Sequence, residues 1–381
     1  MNKLKFLHCS DLHLDMPFAS LGNDKNRSTQ RRQDLKDVLY DIIQIAKNEK
    51  VHILIICGDL YEHNYIRRST INHVNELFKS IPQTKIVMIP GNHDPYAVNS
   101  YYANYSWADN VFILSSQNSF FYFEELSACV WGMGFLNSNR AELTIPEFNL
   151  DESLFNIMLL HGTVDMNFGK TVLNPVSSIA LAATKMDYVA LGHFHNRLED
   201  LGNYGRIFNP GSPEPLGFDE ENEHGVFLCA LDRTNHSDSS KQLHYEFIRT
   251  NKKTYYNLGL DITGLNTDEQ IILKISGLLK GMHEESLVSI TLKGFIENSF
   301  SINATHIEEC FNDKIFFLKL CDNTSPFYDI EEIVEELGLR GLFVRKMLDK
   351  IESEEDMLLK DKLRRSLYFG LKALEKGEID L

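Results

Sequence analysis

The sequence predicts an α/β fold arranged as a layered sandwich, and three observations carry that prediction. Apolar runs of strand length alternate with amphipathic helices over roughly the first 250 residues. Several of these runs end on a polar cluster rich in Asp, Asn or His. Further strand-like runs then crowd together, which calls for a second sheet packed on the first.

The elements follow in order. Lys3 to Cys9 is a strand, and Leu35, Val38, Leu39, Ile42, Ile45 and Ala46 recur at helical spacing. His52 to Cys57 is a buried strand; Ile71, Val74, Leu77 and Phe78 mark the next helix, and Lys85 to Pro90 the next strand. Such strands, apolar throughout, belong to a sheet covered on both faces. Phe120 to Phe123 reads as a strand with one buried face in preference to a base-stacking platform. Strands are also expected at Ala128–Trp131, Phe155–Leu160, Asp187–Leu191, Arg206–Phe208 and Val226–Leu231, with an exposed loop over Asp232–Lys241. From about Tyr255 a small α+β module begins: strand Tyr256–Ile262, helix Thr267–Lys280, strand Leu287–Leu292, helix Ala304–Phe311 and strand Lys314–Leu320. After Pro326 the chain is helical, with one apolar face formed by Leu342, Phe343, Met347 and Ile351 and another by Leu363, Leu367, Leu371 and Leu374. The expected division is 1–250, 251–325 and 326–381.

Composition narrows the function classes. A chain of 381 residues with 43% hydrophobic and 24% charged residues reads as a soluble globular protein of more than one domain. No run of about 18 apolar residues occurs, so no membrane span is expected. The first residues read as a strand, with no leader for export. Six scattered cysteines, none in a C-x-x-C pair, argue against a zinc ribbon and for a reducing cytoplasm. The net charge of −16 excludes attraction of nucleic acid by bulk charge; DNA binding would need a local basic groove or bound cations.

The chemistry sits at strand exits. Ser10-Asp11-Leu12-His13, Gly58-Asp59, Gly91-Asn92-His93-Asp94, Leu160-His161-Gly162 and Gly192-His193-Phe194-His195 each follow an apolar run. Loops at that edge of an α/β sheet are where ligands are held. Any one cluster could be a polar turn, but five of the same composition are hard to obtain from packing. His, carboxylate and amide oxygen without thiolate suit Mn, Fe or Zn at a catalytic site.

This order of motifs resembles the signature of calcineurin-like metallophosphoesterases. The stretch Asn209-Pro210-Gly211-Ser212-Pro213-Glu214-Pro215-Leu216-Gly217-Phe218-Asp219-Glu220 resembles the corresponding loop of SbcD-type DNA-repair nuclease subunits. The first resemblance covers residues 1 to about 250; the length beyond, a cap and a helical tail, resembles the same subfamily. It implies a four-layered αββα sandwich and two divalent cations, manganese foremost. Asp11, His13 and His195 would hold one cation, Asn92, His161 and His193 the other, and Asp59 would bridge them by sharing its two oxygens. His93 would be the catalytic histidine, oriented by Asp94. Some of these nucleases carry a histidine three residues after the bridging aspartate; here that position is Glu62, with His63 next, and both stay outside the expected site. The resemblance also implies DNA as substrate, an SbcC-type ABC ATPase as partner, with the C-terminal helices as its docking surface, and pairing as a homodimer; the apolar stripes of those helices read otherwise as packing on their own cap domain, the commoner case.

Two other functions compete: hydrolysis of nucleotides or other small phosphoesters, which the acidic composition favours, and a non-catalytic scaffold, which the intact ligand set opposes. Arg67, Arg68 and Arg197 could meet phosphates but read equally well as solvated positions. The remaining histidines, including His8, His52 and His224, read as core or surface residues.

Overall fold

Strand β1 (Lys3–Cys9) opens a six-stranded sheet, followed in the chain by α1 (Lys25–Asn48), β2 (Ile53–Cys57), α2 (Arg68–Lys79), β3 (Lys85–Ile89), the short α3 (Tyr101–Asn104) and β4 (Val111–Ile113). A second sheet begins with β5 (Phe120–Phe123), β6 (Ala128–Met133) and β7 (Phe155–His161), continues after α4 (Ser178–Ala183) with β8 (Tyr188–Gly192), and ends at β9 (Ile207–Phe208). The chain then returns to the first sheet as β10 (Gly225–Arg233) and β11 (Lys241–Arg249). This computed structural model describes residues 1–21, 25–115, 119–134, 145–165, 175–233, 241–297 and 299–376. The loop expected over Asp232–Lys241 falls mostly outside them.

The first sheet has the order β11-β10-β1-β2-β3-β4 and the second β5-β6-β7-β8-β9. β1 to β4 run parallel, as do β6 to β9, and β10 and β11 are antiparallel additions. Alternation along each strand divides the core. Leu4 and Phe6 of β1, Ile53 and Ile55 of β2 and Val87 of β3 share one fully buried cluster with Val130, Ile157, Leu159, Tyr188 and Phe208 of the second sheet. Met158, Leu160, Val189 and Leu191 face the other way and pack with Leu181 of α4. The two sheets therefore sit face to face, a mixed α/β sandwich in agreement with the sequence.

Helix α1 starts ten residues before the first apolar position that marks it, at Lys25. Its early turns bury Arg31 and Asp34 as charged partners, which hydrophobic periodicity does not register. No apolar pattern announces β11. Its residues are largely exposed and polar, as suits the edge of a sheet.

The structure divides into two compact units, Met1–Tyr255 and Tyr256–Leu381. The second unit contains β12 (Thr254–Asp261), α5 (Asp268–Leu278), β13 (Ser286–Lys293), β14 (Phe295–Ile296), α6 (Ala304–Glu309), β15 (Phe317–Asp322), β16 (Ser325–Pro326), α7 (Ile330–Val334), α8 (Leu339–Ser353) and α9 (Met357–Lys376). β12, β13 and β15 form a three-stranded sheet whose core includes Ile271, Ile275, Val288, Ile290, Ile307 and Phe311. The last three helices pack around Tyr328, Ile333, Val344, Ile351, Leu367 and Leu371. Phe343, Met347 and Leu363 lie against that cluster as the pattern predicted, but Leu342 and Leu374 are 46% and 39% exposed. Val344 takes the buried place on α8.

Candidate metal centre

The parallel strands of both sheets end at one place. Asp11 and His13 follow β1, Asp59 follows β2, and Asn92 and His93 follow β3; His161 closes β7, and His193 and His195 follow β8. The backbone there is unusual. Asp11, His13, Asp59 and His193 all have left-handed φ values, of 54°, 44°, 50° and 95°. Such conformations cost about 1–3 kcal/mol each for residues other than glycine and gather at functional sites. Two glycines make the approach possible. A Cβ on Gly58 would collide with the His161 ring, and one on Gly91 with the Asp59 carboxylate.

The imidazoles are held from behind. His13 Nδ1 lies 2.7 Å from Glu62 Oε1, His195 Nδ1 2.7 Å from Glu220 Oε1, and His161 Nδ1 2.8 Å from the Cys57 carbonyl. Each of these partners is an acceptor, so each Nδ1 carries the proton and each Nε2 presents a lone pair. The lone pairs then converge. His13 Nε2 and His195 Nε2 are 3.3 Å apart. His161 Nε2 is 3.0 Å from Asn92 Oδ1, and His193 Nδ1 is 3.1 Å from the same oxygen. Asp59 Oδ2 stands between the groups, 3.6 Å from His13 Nε2 and 3.3 Å from His161 Nε2. Asp11, His13 and His195 form one cluster able to hold a cation, and Asp59, His161 and His193 another. With the Nε2 atoms unprotonated these acceptors repel one another unless positive charge lies among them, and a pair of divalent cations would supply it.

The pKa shifts have the same origin. Burial would raise the Asp59 carboxyl, but His161 and His13 hold it far below the usual carboxylate range. Burial would lower His161 and His195; the carboxylates of Asp59 and of Glu220 with Asp11 instead lift them to about 9 and about 10. Burial and the neighbouring His161 push His193 down to about 4. The cavity thus favours cationic charge, which protons supply when no metal does.

All seven expected ligands meet here, with two changes in how the parts are used. Asp59 does not share its two oxygens, because Oδ1 accepts the His93 backbone N–H at 2.8 Å and only Oδ2 faces both clusters. Asp94 does not orient His93. Its fully buried carboxylate accepts the N–H groups of Gly91 (2.7 Å), Leu60 (2.7 Å), Asp59 (3.1 Å) and Tyr61 (3.3 Å) and the Tyr102 hydroxyl (2.7 Å). Burial and the nearby Asp59 charge press its pKa up to about 7, and those donors pull the other way. Asp94 clamps the loops after β2 and β3 together; it is a positioning residue for the backbone.

His93 is served by Glu62 instead, whose oxygens lie 3.0 and 3.1 Å from its Nδ1. The hydrogen bond that His93 Nδ1 donates to Glu62 raises the His93 pKa against the effect of burial. The two histidines also hold Glu62 down to about 2 although burial opposes it. The His93 side chain is 44% exposed while that of His13 is 2% exposed, so His93 is the one that solvent or substrate can reach.

Glu62 and Glu220 are the residues of this site that motif reading missed. Glu62 follows Asp59 closely enough to have been considered, whereas nothing in the sequence ties Glu220 to His195. Glu220 also accepts from the Ser212 hydroxyl at 2.7 Å and from Leu216 N–H at 3.0 Å. The rest of the Asn209–Glu220 loop is mostly buried. Its Glu214 pairs with Arg31 of α1, and both are fully buried. This loop braces His195. Arg67 and Arg68 are exposed at the start of α2, and Arg197 lies 4.1 Å over the Phe247 ring and 3.3 Å from Glu199.

A model of the family described as calcineurin-like phosphoesterase matches residues 4–197. The chain belongs to that family. All seven of the converging ligand residues lie within the matched span. An uncharacterized metallophosphoesterase, YhaO of Bacillus subtilis (strain 168), is 24% identical over 271 residues, covering 69% of this chain and 64% of that protein. The chain therefore spans just under two thirds of that relative's length. The crystal structure of TT1561 of Thermus thermophilus is a distant match, with a TM-score of 0.36 and 13% identity over 65% of this chain and 99% of that one. Among the described residues, no helix is long and apolar enough to cross a membrane.

Proposed function

We propose that this phosphoesterase is binuclear and hydrolyses phosphodiesters, with DNA as its substrate. The observation that carries the reaction is Asp59 Oδ2 standing between two sets of acceptor atoms. Asp11, His13 and His195 would hold one divalent cation and Asn92, His161 and His193 the other, with Asp59 common to both. Manganese is favoured by resemblance and by the nitrogen and oxygen donors. Two such cations supply Lewis acidity toward phosphate oxygens and lower the pKa of water. His93 does the rest of the work this chain contributes. Glu62 holds its ring at Nδ1, which leaves Nε2 to donate a proton to a phosphoryl or leaving oxygen, and the upward pKa shift favours the protonated ring.

The choice of DNA rests on resemblance to SbcD-type nuclease subunits, and with it the proposal of an SbcC-type ATPase partner and a homodimer. Exposed apolar side chains on α8 and α9, among them Leu339, Leu358 and Phe369, support a docking role for that region. One observation favours the second reading, small phosphoesters. The loop that carries the subfamily resemblance is buried behind His195 and offers substrate little surface.

The test is to load the protein with Mn and offer linear duplex DNA, single strands, cyclic nucleotides and a chromogenic diester, with His93→Ala alongside. DNA cleavage that falls about 100- to 10,000-fold in His93→Ala, with metal content unchanged, is the expected outcome. Turnover of small esters with DNA untouched, alone and with the cognate ATPase, would overturn the substrate. A protein that retains metal but cleaves nothing would overturn catalysis itself.

A further inference from the structure

The two metal positions differ in what stands behind their histidines. At the position of Asp11, His13 and His195, both imidazoles donate from Nδ1 to a glutamate, Glu62 and Glu220, each at 2.7 Å. At the position of Asn92, His161 and His193, the amide is neutral and His161 donates to the neutral Cys57 carbonyl at 2.8 Å. Asp59 Oδ2 is common to both and does not distinguish them. The first position thus has Asp11 as its own carboxylate ligand and two further carboxylates one imidazole away. The second has no carboxylate of its own. A carboxylate hydrogen-bonded to an imidazole raises the basicity of the opposite nitrogen and fixes the ring's orientation, and such partners contribute about 10- to 100-fold in metal affinity.

Both glutamates are themselves held in place. Glu220 is 3% exposed and is fixed by Ser212 Oγ at 2.7 Å and Leu216 N–H at 3.0 Å. Glu62 is anchored at both ends of its carboxylate, with His13 on one oxygen and His93 reaching both. Neither has to pay rotamer entropy when a cation arrives, because the hydrogen bonds exist without it.

We propose that Glu62 and Glu220 are a matched pair of positioning residues that make Asp11–His13–His195 the tight position, so that divalent cations load in a fixed order, this position first and the Asn92–His161–His193 position second. The order rests on the binuclear reading above and deepens it.

The experiment is stepwise addition of Mn(II) to chelator-stripped protein, followed by calorimetry and by electron paramagnetic resonance, which separates an isolated Mn(II) from a spin-coupled pair. Wild type should bind in two steps, with an isolated-ion spectrum at one equivalent and a coupled one at two. Asn92→Ala should keep the tight step and lose the second. Glu62→Gln, at a partly exposed position that tolerates the change, should weaken the tight step about 10- to 100-fold and leave the second in place. Glu220→Gln should do the same, with circular dichroism to show that it folds. Two equal steps in wild type, a tight step untouched in Glu62→Gln, or loss of the tight step in Asn92→Ala would each overturn the order while the binuclear centre stood. Uptake of no more than one Mn(II) at saturation would overturn both.

Discussion

In the first unit the interior contains Asp11, Arg31, Asp59, Asp94, His161 and Glu214 at 1% exposure or less, whereas the buried polar side chains described in the second unit are Ser286 and Ser289. The apolar surface is distributed the opposite way. Leu273, Leu337, Leu339, Met357, Leu358 and Phe369 of the second unit are each 68% exposed or more, against Val98 and Ile179 among the described residues of the first. Burying a charge is expensive unless it is paired and hydrogen-bonded. The first unit accepts that cost where the charges form a reaction centre or brace one, as Arg31 and Glu214 do beneath the His195 loop. The second unit has an ordinary apolar core and shows the apolar side chains it does not use internally. The contrast accords with the proposal that catalysis resides in the first unit and association in the second.

The sharpest way to break this comparison is Arg31→Met. It leaves Glu214 buried without its cationic partner and should cost about 3–5 kcal/mol. Urea unfolding followed by hydrogen exchange should show the loss in Met1–Tyr255, with exchange in β13 and β15 unchanged. A destabilisation shared by both units would sink the assignment.

A smaller effect follows from the protons that occupy the centre. His161 and His195, raised to about 9 and about 10, are protonated at neutral pH in the metal-free chain. A cation must displace those protons, so Mn(II) affinity should rise with pH, by about tenfold per unit for each proton displaced, and level off above the raised values. The stability of the metal-free protein should move the other way. The contribution of a raised histidine is complete below its ordinary value of 6.5 and is lost as pH rises through the raised value. Calorimetry across pH 6–10 in buffers of different ionisation enthalpy tests the first trend and thermal unfolding the second; affinity that is flat with pH would show that the protons are not there.

The smallest effect is expected on the exposed face of α9. Leu358 is 77% exposed, and Leu358→Ser should change stability by no more than about 0.5 kcal/mol. Turnover of a chromogenic diester should be unchanged. A large loss of either would mean that this face is internal to the working protein and not available for association.

Much of the architecture was legible because apolar periodicity is a local signal. β2, β3, β7 and β8 each announce themselves as short apolar runs, and their exits carry Asp59, Asn92, His161 and His193 in the reading order of the chain. Periodicity failed where charge replaced it. The first turns of α1 stayed hidden because Arg31 and Asp34 are buried as an ion-paired cluster, and β11 because an edge strand needs no apolar face.

The chain alone specifies which residues can bind metal, since donor chemistry is a property of each side chain and a strand exit is a property of its neighbours. It does not specify how those side chains are oriented. Glu62 reaches His13 across 49 positions, and Glu220 reaches His195 across 25. Asp94 turns from His93 to the backbone of the loop after β2, its nearest N–H donor there being Leu60. Each of these choices depends on where a second segment lies in space, and hydrogen-bond direction falls off within a fraction of an ångström and a few tens of degrees. Such partners emerge only once the sheets have packed and brought the strand ends together.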